Sequence, residues 1–474
     1  MSEAENYAQR KPGTETLTVE ALRASGLFDP KWYLSRYPDV AHSHLEPIRH
    51  YIELGMAMKR DPGPDFSASF FADVFGLQGA KGESAVLEFV KNGIDGLHAD
   101  RVMLAAAGLA RQGRRADAVR FARRFLSSMD DRPIRLLLAN MAIINGDETL
   151  WLKNLNAYLA PYDISPIQLR NGPTILHRLH ADPGRPVMQG PMVTVIMPAY
   201  QAAAYIEPAA TSILGQSWQN LELIIVDDGS SDETWQVAQR LAAQDSRVRT
   251  FRNHQNLGPY VSKNRALQQA RGDYITGHDA DDWAHPQRIE RHMAKVIASH
   301  GNVKAGTGMM LRVSQGGLFD DIIQADPVHS PDGIRRRAFI SCLFERQAME
   351  EKIGFYDPVR FAGDGEMIER ARKILGSGFQ DFDIFAMLCL NLQTSLTNHP
   401  EFGLRTVSGI SDVRKEYNRR WREWHQNTPA ESLKMIDPFG QRPFEAPAEI
   451  LVRNLPDIGQ EGTLEYTPDE EAIR

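Results

Sequence analysis

The strongest chemical signal in the sequence is a set of acidic residues placed directly after strand patterns. Asp227 and Asp228 follow the apolar run 223–226, and Asp279 and Asp281 follow a shorter strand-like segment. In open α/β sheets, ligands bind beyond the carboxyl ends of the strands. Carboxylates gathered there repel each other unless a cation joins them, and Mg²⁺ or Mn²⁺ bound to substrate phosphates would do so. The sequence therefore predicts a divalent-metal site at one edge of a sheet.

The spacing within the second acidic segment supports that prediction. Residues two apart on an extended segment point the same way, so Asp279 and Asp281 can reach one ion or one sugar diphosphate. An Asp-x-Asp pair alone is a weak signal, because surface loops contain it by chance, but it is stronger at the end of a strand. We expect Asp282 to support the loop. The flanking histidines are expected to be structural, with His292 facing outward from a helix.

These residues need a parallel sheet to bring them together, and the pattern from residue 191 onward predicts one. MVTVIMPAY is a β-branched run, and LELIIVDDGSSDETWQVAQRLA has the pattern of a strand, a turn and a helix. Strands that alternate with helices of about 10–15 residues indicate βαβ units. Ser230 and Glu233 resemble a capping box, with Ser230 as the helix N-cap. The expected fold class is α/β, a mostly parallel sheet flanked by helices, preceded by an all-α repeat region.

The chain before residue 191 shows helical repeats instead. Aromatic and aliphatic residues recur with an offset of 38, which indicates a pair of short stacked helical units. The matched pairs are Phe28 and Phe66, Tyr33 and Phe71, Ile48 and Val86, Tyr51 and Phe89, and Gly55 and Gly93.

A second helical stretch follows this pair. Gly113 aligns with Gly146 at an offset of 33, close to the ~34-residue tetratricopeptide period. The stretch is rich in arginine, which leaves two interpretations open: a solvated helix face, or a patch for anionic lipid headgroups or an anionic partner. The predicted organisation is a flexible leader (1–20), the aromatic repeat pair (21–100), a TPR-like region (101–181), a Pro/Gly-rich linker, a catalytic domain (191–430) and a C-terminal extension with a disordered end (431–474).

Composition limits the class of function. Among 474 residues, 61 Asp and Glu exceed 54 Lys and Arg, and the net charge of −7 argues against a nucleic-acid binder. Two cysteines cannot form a disulfide framework and fit a reducing compartment. No apolar run approaches the ~18 residues of a spanning helix, and the polar N-terminus does not resemble a secretory signal. We expect a cytoplasmic protein, with any membrane contact peripheral, at the inner face of the membrane.

The motifs together resemble those of family 2 glycosyltransferases with the GT-A fold. The resemblance covers about residues 191–425 and rests on VTVIMPAYQAAAYI, LELIIVDDGSSDETW, NLGPYVSKNRALQQARGDYITGHDADDWAHP and the later SLTNHPEFG, which occur in order. The residues within these motifs are similar to those of a bacterial subgroup of the family. This subgroup serves surface-polysaccharide assembly and often carries N-terminal helical repeats. The resemblance implies an inverting, hexosyltransferase-like transfer of a sugar from a nucleotide-sugar to an acceptor hydroxyl, with Mn²⁺ or Mg²⁺.

The resemblance also implies roles for residues. Asp227 would support the nucleoside corner, and Lys263 stands where the family often has Arg, so it would supply charge to a diphosphate without a bidentate fork. The segment that closes over the donor includes Asn256 and Gly258. The implied donor-binding residues are Pro198, Ala199, Tyr200, Asp227, Asp228, Asn256, Gly258, Lys263 and Asp279; the implied metal ligands are Asp279, Asp281 and His399.

A catalytic base is implied downstream, in GFYDPVRFAGDGEMIERARKILG. Asp364 fits the base, with Glu366 as the second candidate, and Gly363 stands where many relatives have an acidic residue. A carboxylate at a helix N-terminus can also be a cap. For His399, a structural role is as open as metal ligation. Trp283 could stack on a sugar ring or anchor the core.

The sequence fits two other classes of function less well. A nucleotidyltransferase usually has a Gly-rich, basic segment after its first strand to grip a triphosphate, and MPAYQAAAYI has neither glycine nor Lys or Arg. A non-catalytic helical-repeat scaffold with a degenerate transferase domain would not need the intact acidic residues. A UDP-sugar is the favoured donor. The acceptor remains open among a glycan, a lipid-linked sugar and a protein side chain, and the helical repeats leave room for a membrane or protein partner.

Overall fold

The computed structural model divides the chain into two compact units. One comprises residues 1–158 and 319–335, and the other comprises residues 159–318 and 336–474. The residues that the structure describes are 17–58, 60–64, 66, 68, 86–87, 90, 102–103, 106, 109–110, 113–126, 132–319, 329–330, 333–403, 410–439, 441–452, 455 and 464–466.

The regular elements described in the first unit are helices. Its helices are α1 (Val19–Ser25), α2 (Pro30–Arg36), α3 (Pro47–His50), α4 (Arg115–Leu126), α5 (Ile134–Ile144) and α6 (Glu148–Leu159). Helix α1 ends at Gly26, whose φ of 61° is the left-handed conformation that suits glycine at a helix end. Gly113 and Gly146, the pair aligned in the sequence, also have positive φ. Of the aromatic repeat, Phe71, Phe89 and Gly93 lie outside the described residues.

An aromatic cluster forms the core of the first described repeat. Tyr33 and Tyr51 are fully buried and meet edge to face, with ring centroids 5.6 Å apart, and Phe28 packs on both rings. Part of the Arg-rich stretch packs onto this module: the Arg114 guanidinium pairs with Asp61 at 2.6 Å. Arg124 of α4 also donates to the Ser25 and Gly26 carbonyls, so part of the arginine charge seen in the sequence stabilises the unit itself.

The second unit is built on a mixed sheet with the strand order β12-β5-β4-β3-β6-β10-β8-β11-β7, with β9 paired to β8. Strands β3, β4, β5 and β6 are parallel neighbours, and β10 runs antiparallel to β6 and β8. The strands are β3 (Val193–Ala199), β4 (Leu221–Asp227), β5 (Val248–Arg252), β6 (Tyr274–Gly277), β7 (Trp283–Ala284), β8 (Ala305–Ser314), β9 (Arg336–Arg337), β10 (Leu343–Glu345), β11 (Phe379–Asn391) and β12 (Leu464–Tyr466).

Helices cover both faces of this sheet, which confirms the predicted α/β class. Every residue of β3 and β4 is buried, as expected for strands covered on both faces. One core packs α8, α9 and α11 on the sheet, and the other packs α10, α13 and α14. The helices of this unit are α7 (Ile175–Arg178), α8 (Ile206–Leu214), α9 (Thr234–Gln244), α10 (Pro259–Gln269), α11 (Arg288–Ala298), α12 (Arg346–Ala348), α13 (Gly363–Leu375) and α14 (Asp412–Asn427).

Two local expectations differ from the structure. The stretch 101–181 is not helical to its end, because β1 (Ile167–Leu169) and β2 (Leu179–Ala181) pair as an antiparallel hairpin. The capping box at Ser230 is wrong: helix α9 begins at Thr234, and the Asp232 side chain accepts from the Thr234 backbone N–H at 3.1 Å. Ser230 instead accepts a hydrogen bond from the Gln201 backbone N–H.

The C-terminal extension joins the second unit in the residues that the structure describes. Met435 bridges Gly354, Leu451 bridges Val359, and β12 adds an antiparallel edge strand beside β5. The predicted disorder concerns residues 467–474, which lie outside the described residues. Among the residues that the structure describes, no helix is both long and apolar enough to cross a membrane.

Candidate active site

The parallel strands bring the sequence-predicted residues to one edge of the sheet. Strands β3 and β4 are in register at their carboxyl ends, where Ala199 lies opposite Asp227. The Asp228 backbone N–H donates to the Ala199 carbonyl at 2.8 Å. Pro198 and Ala199 are buried, whereas Tyr200 is 49% exposed. The edge therefore presents one exposed aromatic ring above a rigid strand end.

Asp228 fixes the loop that follows β5. Its carboxylate accepts from the backbone N–H groups of Leu257 at 3.0 Å and Gly258 at 2.7 Å, and from the Asn253 side-chain amide at 2.6 Å. Burial raises the pKa of Asp228, and these hydrogen bonds oppose the rise. The Ser262 hydroxyl is a further hydrogen-bond partner of Asp228, and Asp228 is 2% exposed, so its carboxylate serves to hold this loop in place.

Glycines allow the two loops at this edge to approach closely. Gly258 has a φ of 89°, and a Cβ there would lie 3.1 Å from the Arg360 Cα. Gly229 has a φ of 71°, and a Cβ there would lie 3.0 Å from the backbone N of Asn256. Larger residues would be strained at both positions. The loop that contains Asn256 is thus packed against the turn after β4.

Asp227 anchors that turn from within. One carboxylate oxygen accepts from the Ser230 backbone N–H at 3.1 Å, and the other pairs with the Arg252 guanidinium at 3.0 Å. Arg252 also donates to the Ser230 carbonyl at 2.8 Å. Asp227 is fully buried, so its contacts are with the protein itself.

Three carboxylates cluster in the acidic loop, residues 279–282, which follows β6. One oxygen from each of Asp279, Asp281 and Asp282 lies within 4.8 Å of the others. Burial and the neighbouring Asp279 raise the pKa of Asp281 to about 7. Burial also raises the pKa of Asp279, although Lys263 opposes the rise. The loop therefore concentrates negative charge that a cation would stabilise.

The structure separates the members of the acidic loop by burial. Asp279 and Asp281 are half-buried, whereas Asp282 is buried and accepts from the Leu390 backbone N–H at 2.9 Å. That contact ties the loop to β11. Hard carboxylate oxygens are the ligands that Mg²⁺ and Mn²⁺ prefer, so the donor set fits such an ion, with Asp279 and Asp281 the accessible pair.

A buried arginine, which sequence reasoning missed, supports the acidic loop. Arg288 is 1% exposed and donates to the Thr276 hydroxyl and the Gly277 carbonyl at 2.7 and 2.8 Å. It also contacts His278, whose other ring nitrogen lies 3.2 Å from the Asp282 carbonyl. The sequence signal was a cation directly before the apolar stripe of α11.

The expectation that His292 faces outward is wrong. It is 2% exposed, its Nδ1 lies 2.9 Å from the Arg288 carbonyl, and its ring packs on Phe382. Burial lowers the pKa of His292 to about 3, so the imidazole is neutral. Arg288, four residues earlier on the same face of α11, is also buried. This face of the helix therefore packs against the protein.

Asp364 lies in the first turn of α13 and is partly exposed, not part of the core. Its two carboxylate oxygens contact the Lys263 ammonium at 2.8 Å and the Tyr260 hydroxyl at 3.0 Å. Asp364 keeps 20% of its side chain exposed, whereas Lys263 keeps 3%. Burial alone would lower the pKa of Lys263, but Asp364 and Asp279 raise it above its ordinary value. Lys263 is therefore paired with the base candidate, and its charge also opposes the rise in the pKa of Asp279.

Glu366, two residues after Asp364 on the same helix, points into the protein interior. It is fully buried and forms two hydrogen bonds with Arg370, at 2.8 and 3.0 Å, and one with His425 at 3.0 Å. Although burial acts to raise its pKa, Arg370 and His425 lower it overall. This arrangement favours Asp364 over Glu366 as the group that can meet a substrate.

His399 and Trp283 are placed differently. The His399 Nδ1 lies 3.2 Å from the backbone N–H groups of Glu401 and Phe402, and its ring stacks on Phe402 with centroids 4.9 Å apart. Among the described residues, the cluster of potential metal ligands contains the three aspartates and not His399, so its ligand role stays a prediction. Trp283 is 4% exposed, which favours the core anchor.

Residues 194–308 match the model of the family described as Glycosyl transferase family 2. The chain carries a family 2 glycosyltransferase domain. The match begins in β3 and ends in β8, so it spans the acidic loop and the strand ends described above. The mixed sheet with helices on both faces is accordingly the GT-A fold.

Curated relatives of this glycosyltransferase domain are bacterial. An uncharacterized glycosyltransferase of Haemophilus influenzae is 37% identical over 24% of this chain and 45% of its own length. The GalNAc(5)-diNAcBac-PP-undecaprenol β-1,3-glucosyltransferase of Campylobacter jejuni is 40% identical over 19% of this chain and 30% of its own length. The chain spans about half the length of the curated relatives it matches.

Solved glycosyltransferase structures resemble the fold loosely. Staphylococcus aureus TarS in complex with UDP-GlcNAc is 17% identical, with 43% of this chain and 60% of that chain covered and a TM-score of 0.34. The mannosyltransferase PcManGT of Pyrobaculum calidifontis, in complex with GDP-Man and Mn²⁺, is 19% identical, with 54% and 68% covered and a TM-score of 0.31.

Proposed function

We propose that this protein is an inverting, metal-dependent glycosyltransferase that moves a sugar from a nucleotide-sugar to an acceptor hydroxyl in bacterial surface-glycan assembly. The observation that carries the proposal is the position of Lys263. This one buried cation pairs with the base candidate Asp364 and also acts on Asp279 of the acidic loop. In this proposal Lys263, which would bind the diphosphate, contacts Asp364, which would accept the proton.

The nucleoside end of the donor would lie at the carboxyl ends of β3 and β4. Tyr200 offers an exposed ring for stacking, and Asp228 would position the loop beside the base through its bonds to Leu257 and Gly258. Pro198, Ala199, Asn256 and Gly258 form the rigid walls at this edge. The nucleotide we favour is a uridine diphosphate, and because guanine also offers N–H groups to a carboxylate, the nucleotide screen below compares UDP-sugars with GDP-sugars.

Asp279 and Asp281 would hold Mn²⁺ or Mg²⁺, and His399 would complete the site from the loop after β11. When bound, the ion would stabilise the negative charge of the departing diphosphate. Asp282 would keep the loop in place through the Leu390 backbone N–H. Lys263 would add positive charge beside the same phosphates.

Asp364 would act on the acceptor. Its carboxylate removes the proton of the acceptor hydroxyl while the hydroxyl oxygen bonds to C1 of the donor sugar. The bond between C1 and the diphosphate oxygen breaks, and the nucleoside diphosphate leaves with the electron pair. Attack opposite the leaving group inverts the configuration at C1. Tyr260 keeps Asp364 oriented through its other oxygen.

We propose a glycan on a lipid carrier as the acceptor, in preference to a protein side chain. The support is the Campylobacter jejuni relative, a glucosyltransferase that acts on an undecaprenol-linked glycan. An enzyme with such an acceptor works at the inner face of the cytoplasmic membrane, and the helical first unit would then provide peripheral docking.

A thermal-shift screen of UDP-, GDP-, CMP- and dTDP-sugars, with and without Mn²⁺, tests the proposal. A ligand that binds only the native state raises its stability, so we expect one nucleotide class to raise Tm and to do so only with metal. Asp281→Ala should abolish this rise and donor turnover while the circular dichroism spectrum stays native. Asp412→Asn, a change at an exposed carboxylate, is the matched control.

One result of a separate assay with nucleoside triphosphates, and one result of this screen, would overturn the proposal. Release of pyrophosphate from a nucleoside triphosphate would indicate a nucleotidyltransferase. No response to any nucleotide-sugar with either metal would indicate a non-catalytic scaffold.

A further inference from the structure

The segment that leads into the base candidate contains neither a helix nor a strand. It comprises residues 354–362, directly before helix α13, and we call it the base segment. Most of its residues are buried. Backbone N–H and C=O groups that are buried away from water need hydrogen-bond partners, so the base segment must find them elsewhere in the fold.

Helix α10 provides one set of these partners. The fully buried Asn264 accepts from the Tyr356 backbone N–H at 2.9 Å through Oδ1, and its Nδ2 donates to the Tyr356 carbonyl at 2.9 Å. Lys263 and Tyr260, on the same side of α10, contact Asp364 itself. One side of this helix therefore holds both the base candidate and the segment before it.

The C-terminal extension provides the other set of partners. Its described residues between 435 and 451 form what we call the strap. The Phe355 backbone N–H donates to the Met435 carbonyl at 2.9 Å, and the Arg360 backbone N–H donates to the Ile450 carbonyl at 2.9 Å. The strap therefore contacts the base segment near both of its ends.

An ion pair connects the middle of the strap to the base segment. The Arg442 guanidinium donates to Asp357 Oδ2 at 2.5 Å, and the Tyr417 hydroxyl of α14 donates to the same oxygen at 2.6 Å. Asp357 is fully buried, whereas Arg442 keeps 14% of its side chain exposed. Because a buried carboxylate that loses its paired cation is strongly destabilised, Arg442 matters for the conformation of this segment.

The base segment ends in a residue with an unfavourable backbone conformation. Ala362, directly before the first residue of α13, has a φ of 69°. A residue with a Cβ avoids this left-handed region, and it stays there only where the surrounding structure imposes the conformation. The strap holds Arg360, two residues earlier. It therefore helps to fix the direction in which the chain enters the turn that carries Asp364.

Resting on the proposed function, we propose that the strap is a positioning element of the glycosyl-transfer site: it fixes the base segment and thereby places Asp364 for proton transfer. Arg442 is a positioning residue in this arrangement, and it acts through Asp357. The catalytic part of the chain then extends beyond residue 430, to about residue 451. The proton still moves to Asp364, and the strap determines where that carboxylate lies.

Arg442→Met tests this role more sharply than removal of the strap. Phe439 of the strap packs on the cluster of Leu257 and Val261 beside the donor loop, so a truncation would disturb both halves of the site. A displacement of about 1 Å at a catalytic site can cost about a hundredfold in rate. We expect Arg442→Met to lower the single-turnover rate of nucleoside diphosphate release from the sugar donor about tenfold to a hundredfold.

Two further measurements show whether the loss comes from position. The Kd of UDP with Mn²⁺, or of GDP with Mn²⁺ if only GDP stabilises the wild type, should change by less than about a factor of two. Hydrogen–deuterium exchange of residues 354–366 should become faster. Turnover is measured with an undecaprenol-linked glycan and with water as acceptors, since Asp364 would deprotonate either. Arg442→Gln, which can still donate to Asp357, should give a smaller fall and carries the test if Arg442→Met does not fold.

Arg249→Met is the matched control. Arg249 keeps 15% of its side chain exposed and pairs with the buried Glu222 at 3.5 Å, near the residues where β4 and β5 begin. Its loss also leaves a buried carboxylate without its cation, so Tm should fall in both variants. Turnover, nucleotide Kd and exchange of residues 354–366 should stay at wild-type values in Arg249→Met.

The results separate the strap from the proposed function. If Arg442→Met turns over the donor at the wild-type rate, or if Arg249→Met loses as much turnover, the positioning role is wrong and the glycosyltransferase proposal stands. If Arg442→Met loses turnover and nucleotide affinity together, or leaves the exchange of residues 354–366 unchanged, the positioning role is again wrong. If the wild type releases no nucleoside diphosphate from any sugar donor, the proposed function is wrong and the positioning role fails with it.

Discussion

The acidic loop and the first turn of α13 both bring carboxylates close together, but they differ in whether a cation of the protein balances the negative charge. In the acidic loop, Asp279, Asp281 and Asp282 face each other, and burial and mutual repulsion raise the pKa of Asp281 to about 7. In the first turn of α13, each carboxylate has its own cation: Asp364 has Lys263 and Glu366 has Arg370. The acidic loop is therefore poised to take up a cation, whereas the turn is neutralised from within.

The comparison also distinguishes residues inside each region. In each region one carboxylate is partly exposed and another is buried. Asp281 and Asp364 are the partly exposed residues, and Asp282 and Glu366 are the buried ones. Substitutions of a partly exposed carboxylate should change binding or catalysis, and substitutions of a buried one should change stability. Four predictions follow this division.

The largest effect is expected for Asp364→Asn. Loss of a general base typically reduces the rate about a hundredfold to ten-thousandfold, so the rate constant of sugar transfer should fall by this amount while nucleotide binding persists. Single-turnover transfer assays, alongside nucleotide titration, separate the two quantities. Transfer at a wild-type rate would remove Asp364 from catalysis and break the comparison at its most important point.

Glu366→Ala should act on stability instead. It leaves Arg370 and His425 buried without their carboxylate, and breaking a buried pair in this way costs about 3–5 kcal/mol of unfolding free energy. Urea unfolding monitored by tryptophan fluorescence measures the loss. Glu369→Gln, on the same helix but half-exposed and paired with Arg372 at 3.4 Å, is the control and should cost less than about 1 kcal/mol. Equal losses for the two variants would contradict the interior assignment of Glu366.

Within the acidic loop, Asp281→Asn should stabilise the metal-free protein. Removing one of the repelling charges should raise the unfolding free energy in EDTA by roughly 1 kcal/mol, and the additional stabilisation by Mn²⁺ should disappear. Asp282→Asn should do the reverse in EDTA, because the Leu390 backbone N–H would lose its carboxylate acceptor. Thermal unfolding with and without Mn²⁺ compares the two, and a lower stability of Asp281→Asn in EDTA would contradict the repulsion.

The smallest effect is expected in the acid limb of the stability curve. The folded-state pKa of Glu366 is lowered below its ordinary value of 4.5, so the unfolded chain binds more protons there. The contribution of Glu366 is then fully present above pH 4.5 and is lost as the pH falls through the lower folded-state value. Wild type should lose stability more steeply than Glu366→Gln over this range. Identical slopes in chemical denaturation would show that Glu366 does not carry the linkage.

Much of the site could be predicted from the sequence because its residues follow strands. A parallel strand that ends in Asp places that Asp at the ligand-binding edge, whatever the rest of the chain does, and this logic located Asp227, Asp228, Asp279 and Asp281. The sequence could not show which carboxylate of a neighbouring pair is partly exposed and which is buried. Asp364 and Glu366 are both acidic residues of one helix turn, and they differ in their partners: Lys263 contacts Asp364, whereas Arg370 and His425 contact Glu366.

Other features needed long-range contacts. His292 was expected outside because polar residues usually face solvent, yet α11 turns it and Arg288 into the protein beneath the acidic loop. The helix start at Thr234 rather than Ser230 depends on the bond from the Gln201 backbone N–H, which gives Ser230 another partner. The hairpin β1–β2 and the edge strand β12 rest on pairings that no local pattern specifies.

The sequence by itself determined the family 2 motifs, their order and the placement of acidic residues at strand ends, because strand and turn patterns are local. Tertiary structure decided which carboxylates face a cation, which face each other and which stay partly exposed, because burial and ion pairing depend on elements far apart in the chain. Lys263 shows the difference most clearly. Its identity is local, whereas its pairing with Asp364 exists only in the folded protein.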